Sequence, residues 1–194
     1  MSKLVFATGN PHKISEVNDL LAGRFEVRGL ADIGCPLDLP ETSPTIPGNA
    51  LQKARYVFEN YGVDCFSEDT GLEIEALGGE PGVLSARYAG EEKSPTANMD
   101  MVLRKLQGEA NRKARFYTVI ALILDGKEHL FEGIAEGTIR TEPSGTGGFG
   151  YDPIFQPTGF EVTFAEISKA EKNAISHRGQ AVRKLVEFLT SLNP

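Results

Sequence analysis

KLVFATGNPHKISE, residues 3–16, decides how the chain begins and which fold class it enters. Residues 3–8 are a short apolar run ending before Gly9, which reads as a buried strand. Asn10 stands where a helix N-cap belongs, with Pro11 at the first helical position. Ile14, Val17 and Leu21 recur at helical spacing and give that helix an inner face. Residues 30–48 are rich in Pro and Gly and read as a long loop. The spacing predicts a second helix over about 46–61. Ile46, Ala50, Ala54, Val57 and Tyr61 form its core stripe, and Asn49 and Lys53 share another face. Residues 64–77 read as a strand, a polar break at Glu68-Asp69, and an alternating strand; 78–94 read as loop. Ser94-Pro95 opens a third helix ending at Gly108. Residues 115–124 and 128–140 are β-rich and joined by Asp125-Gly126, a hairpin signal. Ser168 and Glu171 form a capping box. A last helix runs from about Ser176 to Leu192, with Val182, Leu185, Val186 and Leu189 inward. Helices and strands mix throughout, which predicts an α/β fold with a mixed sheet.

The chain has 194 residues, the size of one domain spanning 1–194. It carries 20 Lys and Arg against 27 Asp and Glu, a net charge of −7. That balance argues against sequence-blind binding to nucleic acid or to a membrane surface, and leaves room for a small phosphorylated ligand in a local basic pocket. Cys35 and Cys65 form no CxxC, so neither a disulfide framework nor a zinc knuckle is expected. The longest apolar stretch, near Val119–Leu124, is too short to span a bilayer, and Leu4–Ala7 is too short for a signal core. The expectation is a globular protein of a reducing compartment, the cytoplasm.

Chemistry is suggested at four places. At the opening helix N-terminus, where free N–H groups attract anions, Lys13 opposes the macrodipole. A phosphate between helix and lysine would resolve the conflict; a one-turn pair with Glu16 would resolve it without one. The last helix repeats the anomaly: His177 and Arg178 follow Ser176, and Lys172 lies just upstream. A guanidinium fork suits phosphate oxygens, although all three residues also read as ordinary surface cations. Together, the two termini suggest one polyanion gripped from both sides. Third, Glu41 in the long loop and Glu68-Asp69 offer carboxylates, and magnesium bound with phosphates takes one or two of them. Asp69 is the stronger candidate because its flanks read as buried; Asp-Thr-Gly is also plain turn chemistry. Fourth, Ser144–Asp152 (SGTGGFGYD) satisfies GxGxxG, but Pro153 and Pro157 exclude the helix a dinucleotide fold needs. Glycines around Phe149 and Tyr151 suit backbone approaching a flat ligand, or a loop whose aromatics pack in the core. His12, His129 and His177 share no ligand spacing, and no GxSxG elbow is present.

Five collinear motifs, TGNPHKISE at 8–16, NALQKA at 49–54, EDTGLEIEALGGEPGVLSARYAG at 68–90, GGFGYDPIF at 147–155 and EKNAISHRGQA at 171–181, resemble the Ham1-like inosine/xanthosine triphosphate pyrophosphatases. The resemblance covers nearly the whole chain. Glu68-Asp69-Thr70-Gly71 stands where many bacterial members have Asp-Asp-Ser-Gly. The resemblance implies a long mixed sheet flanked by helices, with two lobes around a central nucleotide-binding cleft. It implies Mg²⁺-dependent hydrolysis of ITP, dITP and XTP between the α and β phosphates, giving the monophosphate and pyrophosphate, and a homodimer. Carried over, Thr8, Gly9, Asn10, Pro11, His12 and Lys13 wrap the phosphates, and Lys53 adds charge. Glu41 and Asp69 hold the metal, and Asp69 is the general base. Thr70 touches substrate. Phe149, Gly150 and Tyr151 frame the purine, while Asp152, Lys172, His177 and Arg178 complete the base and phosphate contacts. His177 and Arg178 are candidates for the donor that reads O6. The related Maf-like group would act on pyrimidine or methylated nucleotides, but Asn10-Pro11-His12-Lys13 replaces its paired arginines. A non-catalytic nucleotide sensor is the other alternative.

Overall fold

A computed structural model describes residues 3–21 and 25–192. The strands are β1 (Lys3–Phe6), β2 (Glu26–Arg28), β3 (Cys65–Ile74), β4 (Lys113–Leu124), β5 (Lys127–Ile139) and β6 (Phe155–Pro157). The helices are α1 (Pro11–Leu21), α2 (Ile46–Tyr61), α3 (Pro95–Lys105), α4 (Lys169–Ile175) and α5 (His177–Leu192). One six-stranded sheet has the order β2-β1-β3-β4-β5-β6. β1 pairs parallel with β2 and β3, and β6 pairs antiparallel with β5. The sheet is therefore mixed, and the class is α/β as the sequence predicts.

Local chemistry sets most boundaries. Thr45 caps α2 by accepting from the Gly48 amide at 3.1 Å, and left-handed Gly62 closes it. Ser94 accepts from Ala97 to start α3. Ser168 and Glu171 cap α4 reciprocally. Asp125 and Gly126 both take positive φ, as the tight hairpin between β4 and β5 demands.

Three expectations need correction. The polar break at Glu68-Asp69 does not exist: β3 runs unbroken from Cys65 to Ile74. Neighbouring side chains on a strand point to opposite faces, so the two carboxylates do not confront each other; Glu68 meets Arg178 and Lys13, and Asp69 lies near Lys53. The loops at 30–48 and 78–94 contain 3₁₀ turns at Leu30–Ile33 and Gly82–Arg87. Finally, α3 stops at Lys105, before Gly108.

The chain contacts divide into two compact units, residues 1–69, 118–133 and 178–194 against 70–117 and 134–177. In the first unit Leu4, Phe6, Val17, Phe66, Ile120, Val182 and Leu185 form the core, and Phe6 stacks on Phe66 with centroids 4.5 Å apart. Such a ring pair adds about 0.5–1.5 kcal/mol beyond its burial. The second unit has its own core of Leu72, Val102, Phe116, Tyr151, Phe155 and Phe164. Among the described residues no helix is long and apolar enough to cross a membrane. Cys35 and Cys65 are free thiols, and burial pushes the Cys65 thiol up to about 12.

Candidate active site

In the first unit the candidate site is built on the β1–α1 turn, the middle of α2, the centre of β3 and the first turn of α5. Thr8 is buried and its hydroxyl accepts from the Asn10 amide at 3.2 Å. Asn10 caps α1, its Oδ1 accepting from the His12 amide at 3.0 Å and the Lys13 amide at 3.4 Å. Gly9 is required by contact: a Cβ there would stand 2.7 Å from the Leu37 carbonyl oxygen. Pro11 and His12 are exposed on the first turn.

Lys53 projects from α2 and is almost entirely buried. Its ammonium donates to Glu41 Oε1 at 2.5 Å and to the Glu68 carbonyl at 2.8 Å, and lies 3.6 Å from Asp69 Oδ1. The other Asp69 oxygen, Oδ2, is buried with no hydrogen-bond partner. Burial pushes the Asp69 carboxyl above the ordinary aspartate range, against the pull of Lys53 and Lys13. A desolvated carboxylate with an open oxygen, bracketed by ammonium groups, is equipped to take a proton or a hard cation. Among the described residues no three His, Cys, Asp or Glu converge as a closed metal cage. Glu41 and Asp69 both meet the Lys53 ammonium, at 2.5 Å and 3.6 Å.

Glu68 faces the other way. Its carboxylate takes Arg178 in a fork, Nε to Oε2 at 2.5 Å and Nη2 to Oε1 at 2.8 Å, and Lys13 Nζ lies 3.0 Å from Oε1. Arg178 also donates through Nη1 to Glu16 Oε2 at 2.5 Å. Arg178 is fully buried; burial alone would lower its affinity for a proton, but Glu68 and Glu16 more than reverse this and hold it charged. The side chain that the sequence offers as a surface cation is thus enclosed, with three N–H groups on carboxylates. Glu16, absent from the sequence-derived site, is the residue that completes this cluster. The sequence offers it only as a one-turn partner for Lys13.

The second unit holds the aromatic set. Asp152 Oδ2 accepts from the Phe149 amide at 2.9 Å and from Lys172 Nζ at 2.7 Å, and both charged groups are buried. The Lys172 ammonium sits 4.8 Å over the Phe149 ring. Gly148 has φ +66°, and any Cβ there would collide with the Asp152 carboxylate. Phe149 and Gly150 are partly exposed, as Thr70 is on β3. Tyr151 is packed into the core, its hydroxyl donating to the Ser85 carbonyl at 2.6 Å. Phe149 is therefore the ring of the pair left for stacking. His177 is buried, lying nearly parallel to Phe116 with centroids 4.6 Å apart.

A protein of Flavobacterium psychrophilum named dITP/XTP pyrophosphatase is 54% identical over 186 residues, 96% of this chain and 98% of its own. One of the same name from Porphyromonas gingivalis is 54% identical over 190 residues, 97% and 98% of the two chains. The solved structure of the Staphylococcus aureus Ham1 protein matches with a TM-score of 0.91 at 36% identity, covering 99% of this chain and 100% of that one. The model of the Ham1 family matches residues 4–188. With the family match across nearly the whole chain and relatives above half identity over their full length, this chain belongs to the Ham1 family.

Proposed function

We propose that this protein hydrolyses non-canonical purine nucleoside triphosphates, ITP, dITP and XTP, at the bond between the α and β phosphates, releasing the monophosphate and pyrophosphate. The observation that carries the reading is Asp69: a buried carboxylate with one unpartnered oxygen, beside Lys53 and within the field of Lys13. The names of the relatives support the substrate class.

Phosphoryl transfer needs positioning and positive charge more than covalent help. Asp69 accepts the proton of the attacking water, and burial raises its proton affinity, which makes it a better base. Lys53 and Lys13 offset the negative charge of the phosphates. The amides of the first α1 turn, from Gly9 to Lys13, add donors at the positive end of the helix. Glu41 and Asp69 would hold Mg²⁺. Bound there, the metal would supply Lewis-acid polarisation of the phosphate and lower the pKa of its water. The nucleotide-contact roles of Phe149, Thr70, Asp152 and Lys172 are proposed on the family resemblance. A homodimer in the cytoplasm is part of the proposal, on the family resemblance.

Two expected results test the parts. Asp69 must be ionised to act, so kcat/KM falls as pH drops through its raised pKa. A dication on the carboxylate competes with the proton, so raising Mg²⁺ moves this acid limb to lower pH. A limb that stays put as Mg²⁺ is varied would remove Asp69 from the ligands. His177→Ala, which spares the Arg178 cluster, should lower the kcat/KM preference for ITP over ATP about tenfold, the worth of one hydrogen bond to a buried site. An unchanged preference would take His177 out of base recognition.

A further inference from the structure

The cluster Glu16, Arg178, Glu68 and Lys13 joins three separate pieces of the first unit: α1, the centre of β3 and the first turn of α5. Two carboxylates, one guanidinium and one ammonium balance in charge. Buried ion pairs are weak stabilisers, because apolar residues of like volume commonly serve as well. What an apolar set does not do is orient the oxygens of Glu68.

We infer that Glu16 is a positioning residue: by fixing the plane of Arg178 it sets the Glu68 carboxylate, and through it the ammonium of Lys13. The guanidinium is a rigid planar fork. Its Nε and Nη2 grip Glu68, so the donor left in that plane, Nη1, is the one that Glu16 holds. Glu68 Oε1 then carries two cations, Arg178 Nη2 at 2.8 Å and Lys13 Nζ at 3.0 Å. Lys13 has a flexible four-carbon stem, and this contact holds its head where it also acts on Asp69. The Lys53 bond to the Glu68 carbonyl holds the same residue by its backbone. The strand position before the base is thereby fixed from both faces.

The inference rests on the pyrophosphatase reading, and wild-type enzyme releasing pyrophosphate from ITP is the control that separates the two. Glu16→Gln keeps size and an acceptor oxygen but removes the charge. Scored per folded molecule, its kcat/KM should fall about 10- to 100-fold, mostly in kcat, since a small misplacement of a charged group is felt in the transition state. In a Lys13→Ala background the same change should cost less than about twofold, because the two act in one chain. Glu16→Asp, which keeps the charge but is one methylene too short, carries the test if Glu16→Gln does not fold, and should show a smaller loss in the same direction. Losses that multiply with Lys13→Ala, or a folded Glu16 variant with wild-type kcat/KM and a lowered Tm, would make the cluster structural only. A wild-type enzyme that releases no pyrophosphate would instead defeat the functional reading.

Discussion

Asp69→Asn is expected to lower kcat/KM for ITP by about 10²–10⁴-fold, the range for loss of a positioned general base. The amide is isosteric with the carboxyl, so the site keeps its shape. It loses the negative charge that, on the proposed function, accepts the proton and attracts the metal. Stability should move the other way. Asp69 binds its proton more tightly in the folded chain than in the unfolded one, because burial disfavours the anion. The ionised form therefore weighs fully against the fold above that raised pKa, and the penalty fades as pH falls from there, to vanish only below the ordinary aspartate value of the unfolded chain. A neutral residue removes the penalty at pH 7, so Tm should hold or rise. Activity and stability opposed at one residue is the signature of a functional group retained against the interest of the fold. Near wild-type turnover in the variant would assign the base elsewhere.

Arg178→Met carries the largest expected loss of stability. The guanidinium is fully buried and serves two buried carboxylates. Removing one member of such a set leaves uncompensated charge and costs about 3–5 kcal/mol. For a chain of this size each kcal/mol is worth about 2–4 °C in Tm. Adding Glu16→Gln to Arg178→Met should restore much of the loss, since Glu68 and Lys13 then balance in charge. Chemical unfolding at pH 7 reads both effects. An Arg178→Met protein within about 1 kcal/mol of wild type would mean that the carboxylates are not confined as the geometry has them; that threshold is the usual scale of an exposed pair.

What was legible in the sequence was local. The N-caps at Asn10, Ser94 and Ser168 and the Asp125-Gly126 turn are written within four residues, and each stands where its signal places it. The inner stripe of α5, and that of α2 from Ile46 to Val57, follow from periodicity; Tyr61 is only partly buried, and Asn49 and Lys53 are buried beside the stripe. The two short edge strands, β2 and β6, carry three residues each, too few for alternation to register. The unbroken course of β3 was hidden for another reason. Adjacent carboxylates look repulsive until their partners are known, and those of Glu68 lie far along the chain, Arg178 being 110 residues away. Glu16 and Arg178 are 162 residues apart, so no window of sequence contains the pair. Tyr151 shows the same limit: its hydroxyl finds Ser85, 66 residues upstream, and the ring goes to the core rather than to the surface. The phosphate and metal candidates fall in one unit, and Phe149, Asp152, Lys172 and His177 in the other.

The central claim is the bond broken and the base chosen. Purified protein is incubated with ITP, XTP, dITP, ATP, GTP, CTP and UTP, each with and without Mg²⁺. Nucleotides are resolved, and pyrophosphate is measured separately from phosphate. The expected result is Mg²⁺-dependent conversion of ITP, dITP and XTP to the monophosphate and pyrophosphate, with ATP spared. Release of a diphosphate and phosphate, preferential cleavage of CTP or UTP, or binding of ITP without turnover would contradict it.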